Sequence, residues 1–168
     1  ALSNETGTRF RKIKTGWEEY SQAADPRGIW ISEIRGYFGY GGMIHNFKNY
    51  VLRQDAKYEQ TLRIQSRFLM DAIETYQAAG PDAIEQEALR RIKRVVEEYS
   101  RNIKIINNAI RENKSAEQID ALVRVDDSDA LQALGLLERH WLDQRQRNLK
   151  LVRLCGNLLL LLLSSLAG

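Results

Sequence analysis

The chain has 168 residues, 43% of them hydrophobic and 28% charged, and only two are prolines. This composition is typical of a folded helical protein and excludes a disordered or collagen-like chain. The net charge of +3 comes from 25 basic and 22 acidic residues mixed along the chain, so no clustered basic face predicts a nucleic-acid partner.

Apolar residues recur at spacings of three and four along most of the chain, and no stretch alternates apolar and polar residues over a strand length. We therefore predict an all-α fold. The first predicted helix ends at the turn-forming segment 25–28. Its apolar face consists of Phe10, Ile13, Trp17 and Tyr20.

A second helical region starts near Ile29, and four glycines fall inside it. They are Gly36, Gly39, Gly41 and Gly42. Because each glycine costs a regular helix about 1 kcal/mol relative to alanine, we expect a kink or break near residues 39–42. The helical pattern resumes at Met43, weakens around residues 53–55 and continues to a helix stop at 80–81.

The next helix has the clearest pattern of the chain and ends near Asn113. Its apolar seam consists of Ile92, Val95, Tyr99, Ile103, Ile106 and Ile110. Residues 115–125 predict a short helical turn, after which Asp126, Asp127 or Ser128 caps the last helix. The apolar positions of that helix are Leu131, Leu134, Leu137, Trp141, Leu149 and Val152, and nothing in the sequence breaks it.

Six consecutive leucines occupy residues 158–163, and no charged residue follows Arg153. A spanning helix needs about 20 apolar residues, so we interpret residues 154–168 as the start of a transmembrane helix. The alternative is a C-terminal helix buried in a core or an oligomer. Residues 1–153 then form an antiparallel four-helix bundle with a kinked, glycine-rich second helical region, whose C-terminal helix runs into the membrane.

Residues 36–53 break local helix rules and crowd functional side chains together. The glycines allow close backbone approach, the aromatic residues offer stacking area, and the cations suit an anion. We predict a site for a small, preferably anionic, ligand here. The candidate residues are Arg35, Tyr40, His45, Lys48, Asn49 and Arg53. The structural alternative is that the glycines let helices cross closely while these side chains pack or are solvated.

The segment Tyr37-Phe38-Gly39-Tyr40-Gly41-Gly42-Met43-Ile44-His45-Asn46-Phe47-Lys48-Asn49-Tyr50-Val51-Leu52-Arg53 lies in a helical region that leads to the predicted membrane helix. It resembles the extracytoplasmic sensor regions of bacterial transmembrane signal transducers. The resemblance implies a periplasmic helical bundle anchored in the inner membrane, with a histidine kinase, chemoreceptor hairpin or nucleotide cyclase as cytoplasmic output. We expect a homodimer that binds a small ligand or a periplasmic partner and transmits helix displacements.

One feature conflicts with this plan. Four cations precede the leucine run, and positive residues usually flank the cytoplasmic side of a membrane helix. They are Arg145, Arg147, Lys150 and Arg153. Either they snorkel and pair with acidic neighbours, or the bundle is cytoplasmic.

We do not expect an enzyme, because no nucleophile, base and orienting group can be assembled from the spacing. The two histidines, His45 and His140, lie outside any Glu-x-x-His motif, so we expect neither a metal nor a cofactor. The rival hypothesis is a helical interaction or scaffold module without a sensing role, anchored or oligomerised by its leucine-rich helix.

Overall fold

The computed structural model describes residues 25–39 and 41–166, with side chains described as far as residue 157. These residues form six helices and no strand, which confirms the all-α class for this part of the chain. The helices are α1 (Arg27–Phe38), α2 (Met43–Arg53), α3 (Ala56–Ala78), α4 (Ala83–Arg111), α5 (Ala116–Val123) and α6 (Ser128–Leu166). The predicted helix with Phe10, Ile13, Trp17 and Tyr20 lies outside the described residues.

Polar side chains cap the N-termini of three helices. The Asp55 carboxylate accepts a backbone N–H at the start of α3. Asp82 and Glu85 form a reciprocal capping box at the start of α4, and Ser115 and Gln118 form another at α5. Each cap satisfies backbone amides that the first turn of a helix leaves without a partner.

Three helices are followed by a residue whose backbone adopts the left-handed conformation. Gln54 has φ 52° after α2, Gly80 has φ 70° after α3, and Asn113 has φ 54° after α4. This conformation lets the chain reverse while its last carbonyls remain hydrogen-bonded. The helix ends therefore fall where the sequence places interruptions, at residues 53–55, 80–81 and 113.

Of the described residues, 27–140 form one compact unit. Within this unit α1 and α2 both pack against α3, α3 packs against α4, and α5 packs against α2 and α4. The apolar seam predicted for α4 is buried at Ile92, Val95, Tyr99, Ile103 and Ile106, while Ile110 is half-buried. Burying this seam removes apolar surface from water, which is the main force that holds the helices together.

The first part of α6 presents small side chains to the core of this unit. Ala130 and Ala133 are fully buried beside Leu134 and Leu137, whereas Leu131 is 45% exposed. Alanines allow a closer approach to neighbouring helices than leucine does, so the buried face differs from the one that the largest apolar residues indicate.

Residues 25–26 and 141–166 belong to a second unit. In it the Trp141 indole N–H donates to Asp25 at 3.0 Å, and the Arg145 guanidinium lies 5.5 Å from the Trp141 ring centre. No helix in the described part of the chain is long and apolar enough to cross a membrane. The structure describes side chains only as far as residue 157 and therefore not those of the leucine run at 158–163. The membrane helix stays a prediction.

The connection between α1 and α2 is set by glycine. Gly41 has φ 85°, in the left-handed region that favours glycine. At Gly42 an added Cβ would lie 2.3 Å from the Tyr37 carbonyl oxygen and 2.6 Å from the carbonyl carbon. Two backbone segments therefore touch at Gly42, and any side chain there would force them apart.

We expect Gly42→Ala to lower the free energy of unfolding by about 1–3 kcal/mol or more, because the obstructing atoms are backbone and cannot rotate away. Gly36→Ala is the matched control: its added Cβ would meet nothing within 4 Å. Since alanine favours helix, this control should gain up to about 1 kcal/mol. Urea denaturation measures both values, and equal stability of the two variants would contradict the close contact at Gly42.

Candidate functional site

Asn46 fixes the turn between α1 and α2 against α3. Its side chain is only 8% exposed, and its Nδ2 donates to the Gly42 carbonyl at 3.0 Å and to Gln65 Oε1 at 2.8 Å. Gln65 in turn donates to the Gly41 carbonyl at 3.3 Å. A buried amide that is fully hydrogen-bonded specifies one arrangement of its neighbours. The glycine-rich segment is thus a defined structural turn.

Four of the predicted ligand residues lie on the solvent side of α2. His45, Lys48 and Arg53 are exposed and Asn49 is half-buried, while the opposite side of the helix is buried. The Asn49 amide and the His45 ring are hydrogen-bonded at 2.8 Å, as their spacing of four residues allows. The structure thus brings these polar side chains onto one accessible helix face.

The other two candidates lie elsewhere. Arg35, on α1, forms an ion pair with Glu138 of α6. Tyr40 lies outside the described residues. Arg53 places its guanidinium 5.7 Å from the Tyr58 ring centre, which is a cation–π contact.

Two shallow grooves on the residue 27–140 unit are lined by other side chains. The first has a volume of about 470 Å³ and is lined by Gly28, Ile29, Ser32, Glu33, Gly36 and Tyr37. The second, of about 440 Å³, is lined by Gln77, Pro81, Ala83, Gln86, Glu87 and Arg90. The predicted ligand residues line neither groove, so a ligand on α2 would bind to an open surface.

A polar network that periodicity does not predict joins α2, α3 and α4. The Tyr50 hydroxyl shares its single proton between Glu59 Oε2, at 3.2 Å, and the side-chain oxygen of Asn107. The Asn107 amide donates to Glu59 at 3.0 Å, and Arg63 donates to the same carboxylate at 2.7 Å. Glu59 thus accepts hydrogen bonds from three side chains on three helices.

This network shifts two pKa values in opposite directions. The hydrogen bond from Asn107, together with those from Arg63 and Tyr50, holds the pKa of the Glu59 carboxyl below its ordinary value. Burial, and then the adjacent Glu59 charge, raises the pKa of Tyr50 to about 12. Both shifts favour the protonation states present at neutral pH, namely ionised Glu59 and neutral Tyr50.

Three further polar contacts hold the start of α6 against α4. The Asp129 carboxylate forms ion pairs with Arg91 and with Arg94, and the hydrogen bond from Arg91 lowers its pKa. The Tyr99 hydroxyl donates to Asp127 at 3.1 Å. These contacts attach the first turn of α6 to the middle of α4.

A fully buried carboxylate also escaped prediction from the sequence. Glu85 is fully buried, accepts a hydrogen bond from Tyr76 at 2.9 Å and lies 3.7 Å from Arg27. The signal that could have revealed it is the Asp82-x-x-Glu85 capping box. Within the described residues, no three side chains of His, Cys, Asp or Glu are grouped so that they could hold a metal ion.

Comparison of the chain with protein-family models, with curated proteins and with solved structures gave no match.

We expect Glu59→Gln to destabilise the protein at pH 7 by about 1–3 kcal/mol, because hydrogen bonds to a partly buried charge are lost. The folded-state pKa of Glu59 is lowered, so its contribution is complete above the ordinary pKa of 4.5 and is lost as the pH falls through the lowered value. The difference in unfolding free energy between wild type and variant should therefore shrink on acidification. Glu97→Gln on α4 controls for the loss of one exposed negative charge.

The contribution of Tyr50 to stability depends on pH in the opposite direction. Because its folded-state pKa is raised from 10.0 to about 12, its contribution is complete below pH 10 and is lost as the pH rises toward that value. We expect Tyr50→Phe to be less stable than wild type at neutral pH and to approach it in alkaline solution. Urea denaturation at about pH 8 and about pH 11 measures this difference. An unchanged gap would contradict the assigned network.

Proposed function

We propose that this protein is the extracytoplasmic sensor domain of a membrane-bound bacterial signal-transduction receptor. Residues 1–153 would form an antiparallel four-helix bundle with a kinked, glycine-rich second helical region. The bundle would bind a small anionic ligand or a periplasmic partner and transmit helix displacement to a cytoplasmic output. The observation that carries the proposal is the ion pair between Arg35 and Glu138, which links a predicted ligand residue to α6.

This ion pair suits a ligand-dependent switch because it is accessible. The Arg35 side chain is 53% exposed and the Glu138 side chain 36% exposed. An ion pair at this exposure contributes at most about 1 kcal/mol, so an anionic ligand can replace the Glu138 carboxylate at little cost. Release of Glu138 would free this turn of α6, while Asp129 still holds the helix start.

The exposed face of α2 supplies further groups for an anion. His45 and Lys48 are exposed and lie within one helical turn of each other, and Arg53 follows on the same side. A ligand that contacts this face would change the side-chain contacts of α2, and an anion that contacts Arg35 would change those of α1 and α6. Packed helices shift by about 1–2 Å in switching transitions of this type.

The bundle would lie beside a membrane. We place it as a homodimer in the periplasm, anchored in the inner membrane by a helix that begins at residue 154. Six leucines at 158–163 support the anchor, and α6 runs through them to Leu166. No catalytic activity is proposed.

The second candidate function is a helical interaction or scaffold module. It is favoured by Gly42, because the close contact with Tyr37 explains this glycine without any ligand. The coding sequence beyond residue 168 discriminates between the two. A longer apolar stretch followed by a signalling domain supports the sensor, whereas an immediate stop supports the module.

A thermal-shift screen of the 168-residue chain against phosphate, sulfate, carboxylates and amino acids tests the sensor. A ligand at 100 times its dissociation constant adds about 2.7 kcal/mol of stability. We expect a hit with wild type that His45→Ala/Lys48→Ala weakens at least tenfold in affinity.

Arg101→Ala/Lys104→Ala is the matched control, since both residues are exposed on α4 away from the predicted site. It should keep the wild-type affinity. A ligand response that survives His45→Ala/Lys48→Ala unchanged would show that the predicted site is wrong.

A further inference from the structure

A cationic cluster lies on α6 and consists of Arg145, Arg147, Lys150 and Arg153. All four are exposed, and no Asp or Glu follows Asp143 in the sequence. None of them forms an ion pair with a carboxylate among the described residues. The ring contact of Arg145 with Trp141 leaves the charge of its guanidinium unbalanced.

The four cations are spread over about 200° of the helix circumference, and the remaining arc of about 160° carries none of them. At about 100° per residue, they point in directions of about 0°, 200°, 140° and 80° when Arg145 is taken as the origin. A helix that lies flat on a charged surface carries its cations on one face. An arc of about 200° is wider than a single helix face, so it suits a helix that passes through a charged layer.

The length of the cluster fits the same geometry. From Arg145 to Arg153 the helix rises about 12 Å, and the headgroup layer on each side of a bilayer is about 5–8 Å thick. If the membrane begins near residue 154, Lys150 and Arg153 lie within the headgroup layer. Arg145 and Arg147 then lie in the water directly beside it.

Two exposed leucines follow the last two cations of the cluster, toward the leucine run. Leu151 and Leu154 are each 58% exposed in the second unit. Each lies one residue after a cation, Leu151 after Lys150 and Leu154 after Arg153. A surface with phosphate groups above hydrocarbon satisfies both kinds of side chain at once, whereas water satisfies only the cations.

We infer that Arg145, Arg147, Lys150 and Arg153 form a binding belt for the headgroups of anionic phospholipids around α6. Guanidinium and ammonium groups bind phosphate through charge-assisted hydrogen bonds. The inference depends on the membrane helix of the proposed function. It specifies the class of lipid that this helix prefers. Lipid phosphate would be the counter-ion that the described carboxylates do not provide.

Flotation of the 168-residue chain with vesicles tests the belt. We compare phosphatidylcholine vesicles with and without phosphatidylglycerol, at limiting lipid and low salt. Each cation near an anionic surface favours binding about fivefold, so wild type should partition at least about tenfold better into the anionic vesicles. High salt should reduce this preference, because it screens exposed charges.

Two variants separate the belt from general charge effects. Arg145→Gln/Arg147→Gln/Lys150→Gln/Arg153→Gln should lose the preference and still float with phosphatidylcholine. The control replaces four exposed cations of the bundle, Arg67, Arg101, Lys104 and Arg111, by Gln and should keep the preference. Circular dichroism checks that both remain helical.

Three other outcomes would refute the belt, and one of them would also refute the membrane helix. Equal flotation of wild type with both vesicle types would refute the belt and leave the membrane helix standing. Loss of the preference in both variants would also refute the belt, since net charge alone would then explain it. Failure of wild type to float with either vesicle would refute the membrane helix and the belt with it.

Discussion

The backbone contact between Gly42 and the carbonyl of Tyr37 sets the relation of α1 to α2, and the packing around α3 depends on it. Both helices pack on α3, and Phe38 and Met43, which flank the turn, are fully buried. A wider turn would separate these two side chains and open the core between them. Asn46 then fixes the turn to α3 by hydrogen bonds. The close contact explains Gly42 by packing, and four of the predicted ligand side chains lie after this turn, on α2.

Polar networks determine how the helices are aligned. Apolar burial favours contact between α2, α3 and α4 but tolerates sliding, whereas the bonds around Glu59 form in one alignment only. Among the described residues, no buried side-chain nitrogen or oxygen atom is left without a partner. Because Tyr50 is held from its buried side, the opposite face of α2 is presented rigidly. A rigid face binds a ligand with less loss of conformational entropy than a mobile one.

Sequence periodicity predicted the helices but only part of their contacts. The seam of α4 followed from apolar spacing, and the bond between His45 and Asn49 was foreseeable from their separation by four residues. Periodicity counts apolar residues, so it missed the buried Asn46 and could not select Ala130 over Leu131 as the inward residue. The ion pair of Arg35 with Glu138 joins positions 103 residues apart, which no local rule can predict.

The cations before the leucine run carry less information about orientation than their number suggests. The rule that places positive residues in the cytoplasm holds for loops shorter than about 60 residues, and long folded domains cross the membrane largely regardless of charge. The bundle proposed here spans residues 1–153 and is far longer than such a loop. The sequence also offered the explanation that these cations snorkel and pair with acidic neighbours, and among the described residues no ion pair joins Arg147, Lys150 or Arg153 to a carboxylate. A basic belt next to a membrane helix is therefore compatible with a bundle on either side, and its charge bears on which lipids surround the helix.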